Sequence, residues 1–419
     1  MANVMVTMSG ISKNDKRDDH DCRKYSNSAN VMATISENMQ IRPTKFSVAG
    51  FFSFCYNFRV STKENVLNAL SSLPDDKFLS GEELASSCSV SRTAIWKAIK
   101  SLEDDGYKIE AVTNRGYKIL SAPDKLSSAT IENYLSENGV SGIHAHIFSE
   151  IDSTNSEAKR RAVEAGAFRT AEGNLTQKGQ DSHLSLFAAE TQTGGKGRLG
   201  RTFVSPKDCG VYFSLLYSPR GGVKNPALYT AATAVSVSRA VLKLYGEQSS
   251  IKWVNDIFLA GKKICGILVE GIANFETGCI DAAVVGIGIN IRKNPALEGE
   301  ITKIVGSIEE AKSSKSEEMP NLSKNILIGE VVRNLIELYQ AFENEDEKTK
   351  SQMISEYRSL SMLTGQTVTV NPVAGGIGKS YKAQVKDIDE EMRLVVQTEN
   401  GEIRRLNSGE VSLHSYDFI

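Results

Sequence analysis

Apolar residues at helical spacing open the patterned part of this chain, with Val66, Leu67 and Leu70 on one face of Lys63–Ser72. Ser80-Gly-Glu-Glu83 reads as a capping box opening a short helix with Leu84 inside. Ser91 caps a third helix that runs to Leu102 and turns Ile95, Ile99 and Leu102 inward. Tyr107–Val112 and Tyr117–Leu120 then pair as strands around Thr113-Asn-Arg-Gly116. Further on, Leu184–Ala189, Gly210–Tyr217, Lys262–Glu270 and Val284–Asn290 read as buried strands. Ser156–Ala165 is helix-like, and Ile328–Phe342 carries Ile328, Val331, Val332, Leu335, Leu338 and Phe342 at core spacing. The polar stretches 170–183 and 296–324 read as a surface loop and a second excursion. From Leu363 the period becomes two. Thr367–Asn371, Tyr381–Ile388, Arg393–Thr398, Glu402–Leu406 and Val411–His414 predict a small β-barrel. The fold class is α+β.

The outward face of the third helix carries Arg92, Thr93, Trp96, Lys97 and Lys100, and no acidic residue falls between Glu83 and Glu103. With the basic hairpin tip at Arg115, residues 63–122 read as a winged helix-turn-helix. Ser91, Arg92, Thr93, Trp96, Lys97, Lys100 and Arg115 are its candidate DNA-binding residues, and Trp96 has the alternative of packing on the wing. A module that only contacts protein remains the competing reading. Residues 1–60 are expected to be a disordered extension. Asp15, Asp18, Asp19 and Asp21 argue against an organelle transit peptide, and Phe46–Val60 is too short and polar to span a bilayer.

The chemistry concentrates in residues 190–201, Glu-Thr-Gln-Thr-Gly-Gly-Lys-Gly-Arg-Leu-Gly-Arg. Gly194, Gly195, Gly197 and Gly200 let the backbone approach a ligand, while Lys196, Arg198 and Arg201 supply positive charge and forked donors. Such a loop grips anions. Its literal GxGxxG is not a dinucleotide fingerprint, because a strand follows where a helix N-terminus is required. Four further motifs accompany it: Asp152-Ser-Thr-Asn155 before a helix, Lys252-Trp-Val-Asn-Asp256 before a turn, Lys262-Lys-Ile-Cys-Gly-Ile-Leu-Val-Glu270 as a strand that starts basic and becomes apolar, and Gly286-Ile-Gly-Ile-Asn290 at a strand end. Singly, a helix cap or a strand bulge accounts for each. All of them in this order are hard to assign to packing.

Together they resemble the biotin–protein ligases from about Phe148 to the C-terminus. Departures are Gly195 and Leu199 in place of arginines, Lys196 where arginine is commoner, and Val254 for proline. The loss of a cation at Leu199 bears on affinity more than on reaction type. The resemblance implies a central mixed α/β domain of class II synthetase type and an SH3-like C-terminal domain. It also implies activation of biotin by ATP to biotinyl-5′-AMP, then transfer to a lysine of a biotin carboxyl carrier protein, making the chain a biotin–[acetyl-CoA-carboxylase] ligase. The reaction needs no enzyme nucleophile; it needs two anions held together and their charge neutralised. Arg198, Lys252 and Lys263 are the implied catalytic residues. Ser153, Thr154, Asn155, Gln192, Gly195, Lys196, Arg198, Lys263 and Gly266 are implied for biotin. For ATP the implied residues are Arg198, Arg201, Phe203, Lys252, Asn255, Asp256 and Asn290, with Asp256 helping to hold Mg²⁺. The loop is expected to order on ligand binding and shield the adenylate. The N-terminal module resembles that of bifunctional ligase–repressors, which implies operator DNA and a homodimer when adenylate is bound.

Length and composition are consistent with this. At 419 residues the chain suits two or three domains, expected at 63–122, 127–360 and 361–419 after the extension. A net charge of −2 confines any nucleic-acid contact to a local surface. Six scattered cysteines without CxxC spacing read as reduced thiols in the cytoplasm. The near pair His144 and His146 reads as a strand edge rather than a metal site. No membrane partner and no tightly bound prosthetic group are expected. Three alternatives stand beside the ligase–repressor: a ligase with a winged helix that does not bind DNA, a non-enzymatic biotin sensor, and a lipoate or octanoate ligase. Intact Arg198, Lys252 and Lys263 argue against the sensor.

Overall fold

The computed structural model describes residues 61–413 except 75–76, 105, 114, 122–123, 167, 171–172, 275–277, 316, 318–319, 321, 372–379 and 408–409. The expectations for residues 1–60 fall outside these. The chain divides between Pro123 and Asp124 into two compact units.

In the first unit, helices α1 (Thr62–Ser71), α2 (Gly81–Ser87) and α3 (Arg92–Asp104) precede a hairpin of β1 (Lys108–Val112) and β2 (Gly116–Ser121). Reciprocal capping boxes start α1 at Ser61–Glu64 and α2 at Ser80–Glu83, and Ser91 Oγ accepts from Ala94 N at 3.2 Å to start α3. Val66, Leu70, Leu84, Ile95, Ile99 and Leu102 form the core. Leu79 extends the hairpin by bridging to Tyr117, and Gly116 is required there because a Cβ would lie 2.1 Å from the Leu79 carbonyl.

The second unit is built on a seven-stranded sheet of order β3-β4-β5-β9-β8-β7-β6, parallel only between β3 (His144–Phe148) and β4 (Ser185–Ala189). The other strands are β5 (Gly210–Tyr217), β6 (Ser250–Lys252), β7 (Asp256–Leu259), β8 (Lys262–Ala273) and β9 (Ile280–Asn290). Its helices are α4 (Ser128–Glu137), α5 (Thr154–Ala165), α6 (Gln177–Ser182), α7 (Pro226–Tyr245), α8 (Ile301–Ile304), α9 (Ile308–Ser314), α10 (Lys324–Glu343) and α11 (Glu347–Ser359). Helices α7 and α10 meet through Tyr339, whose hydroxyl donates to the Tyr229 carbonyl at 3.1 Å, and both enter the main core. Helix α5 packs separately, with Ala158 and Ala162 against Phe187, Leu216 and Val284. The stretch expected as a surface loop at 170–183 contains α6, because Thr176 caps it and Gly179 lets it lie against the Phe168 carbonyl. The polar excursion at 296–324 likewise holds α8 and α9.

Strands β10 (Thr367–Asn371), β11 (Tyr381–Ile388), β12 (Leu394–Thr398), β13 (Ile403–Leu406) and β14 (Glu410–Leu413) form one antiparallel sheet of order β13-β12-β11-β10-β14. It is tied to the large sheet across the expected boundary at 360/361. Ile251 N donates to Leu360 O at 2.7 Å, Met362 N to Ile251 O at 3.1 Å, and Trp253 Nε1 to Met392 O at 2.8 Å.

Cys88, Cys209 and Cys265 are free thiols, and burial within β8 pushes the Cys265 thiol well up. His146 lies in β3 stacked on Phe187, and burial pulls its pKa down. Among the described residues no helix is long and apolar enough to cross a membrane, and no three His, Cys, Asp or Glu side chains gather as metal ligands.

Candidate functional site

The segment between β4 and β5 is a hairpin rather than an open loop. Gln192 N donates to Ser205 O at 3.0 Å, Phe203 N to Gly195 O at 2.9 Å and Gly197 N to Arg201 O at 2.7 Å. Leu199 and Gly200, at φ 57° and 75°, turn its tip. Gly195 sits where the stems pinch: a Cβ there would lie 2.3 Å from the Phe203 carbonyl.

Its base is joined to the Ser-Thr-Asn turn. Gly194 N donates to Asp152 O at 2.7 Å, and Gln192 Oε1 accepts from Thr154 N at 2.8 Å. The Gln192 amide donates in turn to Ser205 Oγ at 2.8 Å. Ser153 caps α5, so the Ser-Thr-Asn motif is both a helix cap and a wall of the cavity. Asn155 reaches down to the sheet, its Nδ2 donating to Leu268 O at 3.2 Å and Glu270 Oε2 at 2.9 Å. Ser214, fully buried on β5, places its hydroxyl 2.7 Å from Thr154 Oγ1 and 2.6 Å from Asn155 Oδ1. Arg160 hydrogen-bonds both oxygens of the Asp152 carboxyl, holding its pKa down to about 2.

The opposite wall is the turn from β6 to β7. Arg198 Nη1 donates to Asn255 Oδ1 at 2.7 Å, which draws the hairpin tip to this turn. Asn255 is itself fixed, donating to Ile267 O at 3.0 Å and to Asp256 Oδ1 at 3.1 Å. Lys263 Nζ lies 2.7 Å from Asp256 Oδ1, and Lys252 pairs in register with Asp256. Tyr357, from α11, donates to Val254 O at 3.2 Å beneath the turn.

The floor explains the glycines of β8 and β9. Gly266 and Gly288 are cross-strand partners, and the Phe203 ring lies over both. A Cβ on Gly288 would fall 2.5 Å from Phe203 Cε1, and one on Gly286 would fall 2.0 Å from Asn155 Oδ1. These glycines make room for side chains of the site itself.

The result is a cavity of about 240 Å³. Ser153, Thr154, Asn155, Gln192, Lys196, Arg198, Arg201, Phe203, Lys252, Asn255, Asp256, Lys263 and Gly266 all line it. Five of its lining side chains are cations (Lys196, Arg198, Arg201, Lys252 and Lys263) against the single carboxylate of Asp256. That excess favours an anion with several charges. Two expected residues are not on the lining. Gly195 is behind it, at the stem pinch, and Asn290 is turned away, its Nδ2 donating to Gly306 O at 3.1 Å. Thr202 and Ser214 lie outside the sequence motifs, and Trp253 and Glu270 lie within them without an expected role; Ser214 and Glu270 meet Asn155 only through contacts between distant elements.

In the first unit, Thr93, Lys97 and Lys100 are exposed, and Trp96 is 59% exposed rather than packed on the wing. Arg92 pairs with Glu82, and Lys100 lies 3.3 Å from Glu103. The Arg115 guanidinium stands 4.4 Å above the Phe78 ring.

Residues 168–290 match the biotin/lipoate A/B protein ligase family, 67–118 an HTH domain, and 365–414 the biotin protein ligase C terminal domain. The chain is 33% identical over 256 residues to the bifunctional ligase/repressor BirA of Bacillus subtilis, covering 61% of this chain and 73% of that protein. To the bifunctional ligase/repressor BirA of Bacillus spizizenii it is 29% identical over 354 residues, 84% of this chain and 99% of that one. The fold is similar to that of a biotin protein ligase from Aquifex aeolicus in complex with biotin and ATP. The TM-score is 0.50 at 25% identity, covering 65% of this chain and 98% of the other.

Proposed function

This chain belongs to the biotin–protein ligase family, and on that premise we propose that it joins biotin to a protein lysine at the expense of ATP and represses transcription in response to biotin. The biotin carboxylate attacks the α-phosphate of ATP, forming biotinyl-5′-AMP and releasing pyrophosphate. The acceptor amine then attacks the mixed anhydride, AMP leaves, and the amine loses a proton. The observation that carries this reading is the convergence of five cations on one cavity, beside a wall of hydroxyl and amide groups. Two anions repel as they meet, and fixed cations offset that repulsion without reorganising.

Arg198, Lys252 and Lys263 neutralise the carboxylate and the α-phosphate. Ser153, Thr154, Asn155 and Gln192 take the ureido ring, whose N–H and C=O groups need paired partners. Lys196 and Gly266 border that subsite, and Gly195 shapes it by bringing the hairpin stems together. Arg201, Asn255 and Phe203 receive the nucleotide, with Phe203 against adenine. Asn290 serves indirectly by fixing Gly306 beside Lys263, whose carbonyl accepts from Gly306 N at 3.0 Å. Asp256, the one carboxylate on the lining, suits Mg²⁺, which binds through few protein carboxylates and mostly through phosphates and water. When bound, that ion would add charge neutralisation at the phosphates.

The acceptor we propose is a biotin carboxyl carrier protein, the setting cytoplasmic, and the DNA-binding form a homodimer carrying adenylate. Ser91 starts the recognition helix, Arg92, Thr93, Trp96, Lys97 and Lys100 face the groove, and Arg115 tips the wing. Two assays test the reading. Biotin, rather than lipoate or octanoate, should drive pyrophosphate exchange into ATP. Genomic DNA fragments should be captured by the purified protein only with biotin and MgATP together; no capture in either condition would leave a ligase whose winged helix serves another purpose.

A further inference from the structure

The hairpin leaves and rejoins the sheet at one buried lysine. Lys324, the first residue of α10, has a side chain only 4% exposed. Its Nζ lies 2.6 Å from Glu190 Oε2, immediately after β4, and 3.7 Å from Asp208 Oδ1, two residues before β5. Both stems of the ligand-gripping segment therefore converge on a single cation.

The other oxygen of Glu190 has a different partner. Glu190 Oε1 accepts from Leu126 N at 2.6 Å. Residues 124–127 are the first of the second unit, and they are strapped to the same helix start. Asp124 accepts from Lys324 N at 2.8 Å and from Ser323 Oγ at 2.9 Å. Ser127 N donates to Asn325 Oδ1 at 2.7 Å, and Asn325 Nδ2 donates to Lys125 O at 2.8 Å. A carboxylate with two charge-assisted hydrogen bonds in a nearly dry site cannot shift toward one partner without weakening the other. Two residues beyond Glu190, the Gln192 amide holds Thr154 on the cavity wall.

We propose that Glu190 and Lys324 form a positioning clasp that couples the ligand-gripping hairpin to the segment leading out of the N-terminal unit. When ligand draws the hairpin tip onto the cavity, the stems tighten on Lys324 and the Leu126 amide is held more firmly by Glu190. Occupancy of the cavity thereby reaches the four residues that join the DNA-reading unit to the ligase. The inference rests on the reading that biotin and ATP fill this cavity.

Hydrogen exchange in the full chain tests it, with and without biotin plus MgATP. In the wild type the ligands should slow exchange of the Leu126 amide about tenfold or more. Removing one charge alone would strand the other in a buried site, so the variant is the double Glu190→Gln, Lys324→Met. It should lose the ligand-dependent slowing at Leu126, whereas Lys324→Arg should keep it. A merely structural clasp would change exchange at Leu126 and at Val331, which shares α10 with Lys324, equally in both ligand states. Full slowing in the double variant overturns the proposal. So does a wild type that exchanges pyrophosphate with biotin yet leaves Leu126 unaltered. A wild type without biotin-dependent pyrophosphate exchange overturns the ligase reading and the clasp with it.

Discussion

Replacing Gly288 with alanine asks whether Phe203 is positioned by the sheet beneath it. The added methyl would stand 2.5 Å from Cε1 and 2.6 Å from Cζ of that ring. Carbon atoms rest about 3.5–4.0 Å apart, so the ring must retreat by about 1 Å. Retreat across β8 is restricted, since the ring already lies close over Gly266. Overpacking of this kind costs about 1–3 kcal/mol, and a group misplaced by about 1 Å at a reacting site can lose about a hundredfold in rate. We expect kcat/KM for ATP in biotin-dependent pyrophosphate exchange to fall ten- to a hundredfold. In a Phe203→Ala background the methyl has room, and the same substitution should cost less than about threefold, a coupling measurable as a double-mutant cycle. An equal cost in both backgrounds, or none in the wild type, would refute the idea that Gly288 acts through Phe203.

Arg198→Gly and Lys252→Ala each remove one of the five converging cations and should slow biotin-dependent pyrophosphate exchange about a hundredfold or more; an unchanged rate removes them from the reaction. Arg198→Gly should also let adenylate escape, because the hairpin tip loses its bond to Asn255. Biotin should protect residues 190–201 from protease, and equal cleavage with and without it counts against a closing hairpin. Gln192→Ala should raise the KM for biotin; no change would favour a lipoate or octanoate substrate, which has no ureido group to recognise. Glu330, 1% exposed, provides a stability test. Burial works to raise its pKa, but hydrogen bonds from Arg333, Tyr134 and Lys243 outweigh it and bring the group from 4.5 to about 2. Its contribution, at most about 3 kcal/mol, is present above pH 4.5 and drains away as pH falls toward 2. Acid unfolding of Glu330→Gln should therefore depend less steeply on pH across that interval.

Local signals were legible where one physical cause dominates. The capping box at Ser80, the Ser91 cap and inward stripe of α3 and the period-two run after Leu363 all correspond to elements within a residue or two. Helix α7 left no periodic trace, although Asn225, Pro226 and Gly246 carry standard start and stop chemistry. It is buried over most of its circumference, so no polar face interrupts its apolar run. Asn290 shows the reverse failure. Its motif and strand end were read correctly, but the direction of its amide was set by the Gly306 carbonyl, sixteen residues away.

The sequence by itself determined the chemistry on offer. It supplied a glycine-spaced run of cations, hydroxyl and amide groups at a helix start, a Lys-Trp-Val-Asn-Asp turn and a basic helix-turn-helix, because side-chain type and short-range spacing fix charge, donors and caps. Tertiary structure alone decided which of these groups meet. The pairing of β8 with β9 set Gly266 against Gly288 and gave Phe203 its floor, the β6–β7 turn supplied Asn255 to hold Arg198, and α10 placed Lys324 under both stems of the hairpin. Those contacts join residues from 22 to 134 positions apart, where no local propensity reaches and only burial of a shared core selects the register.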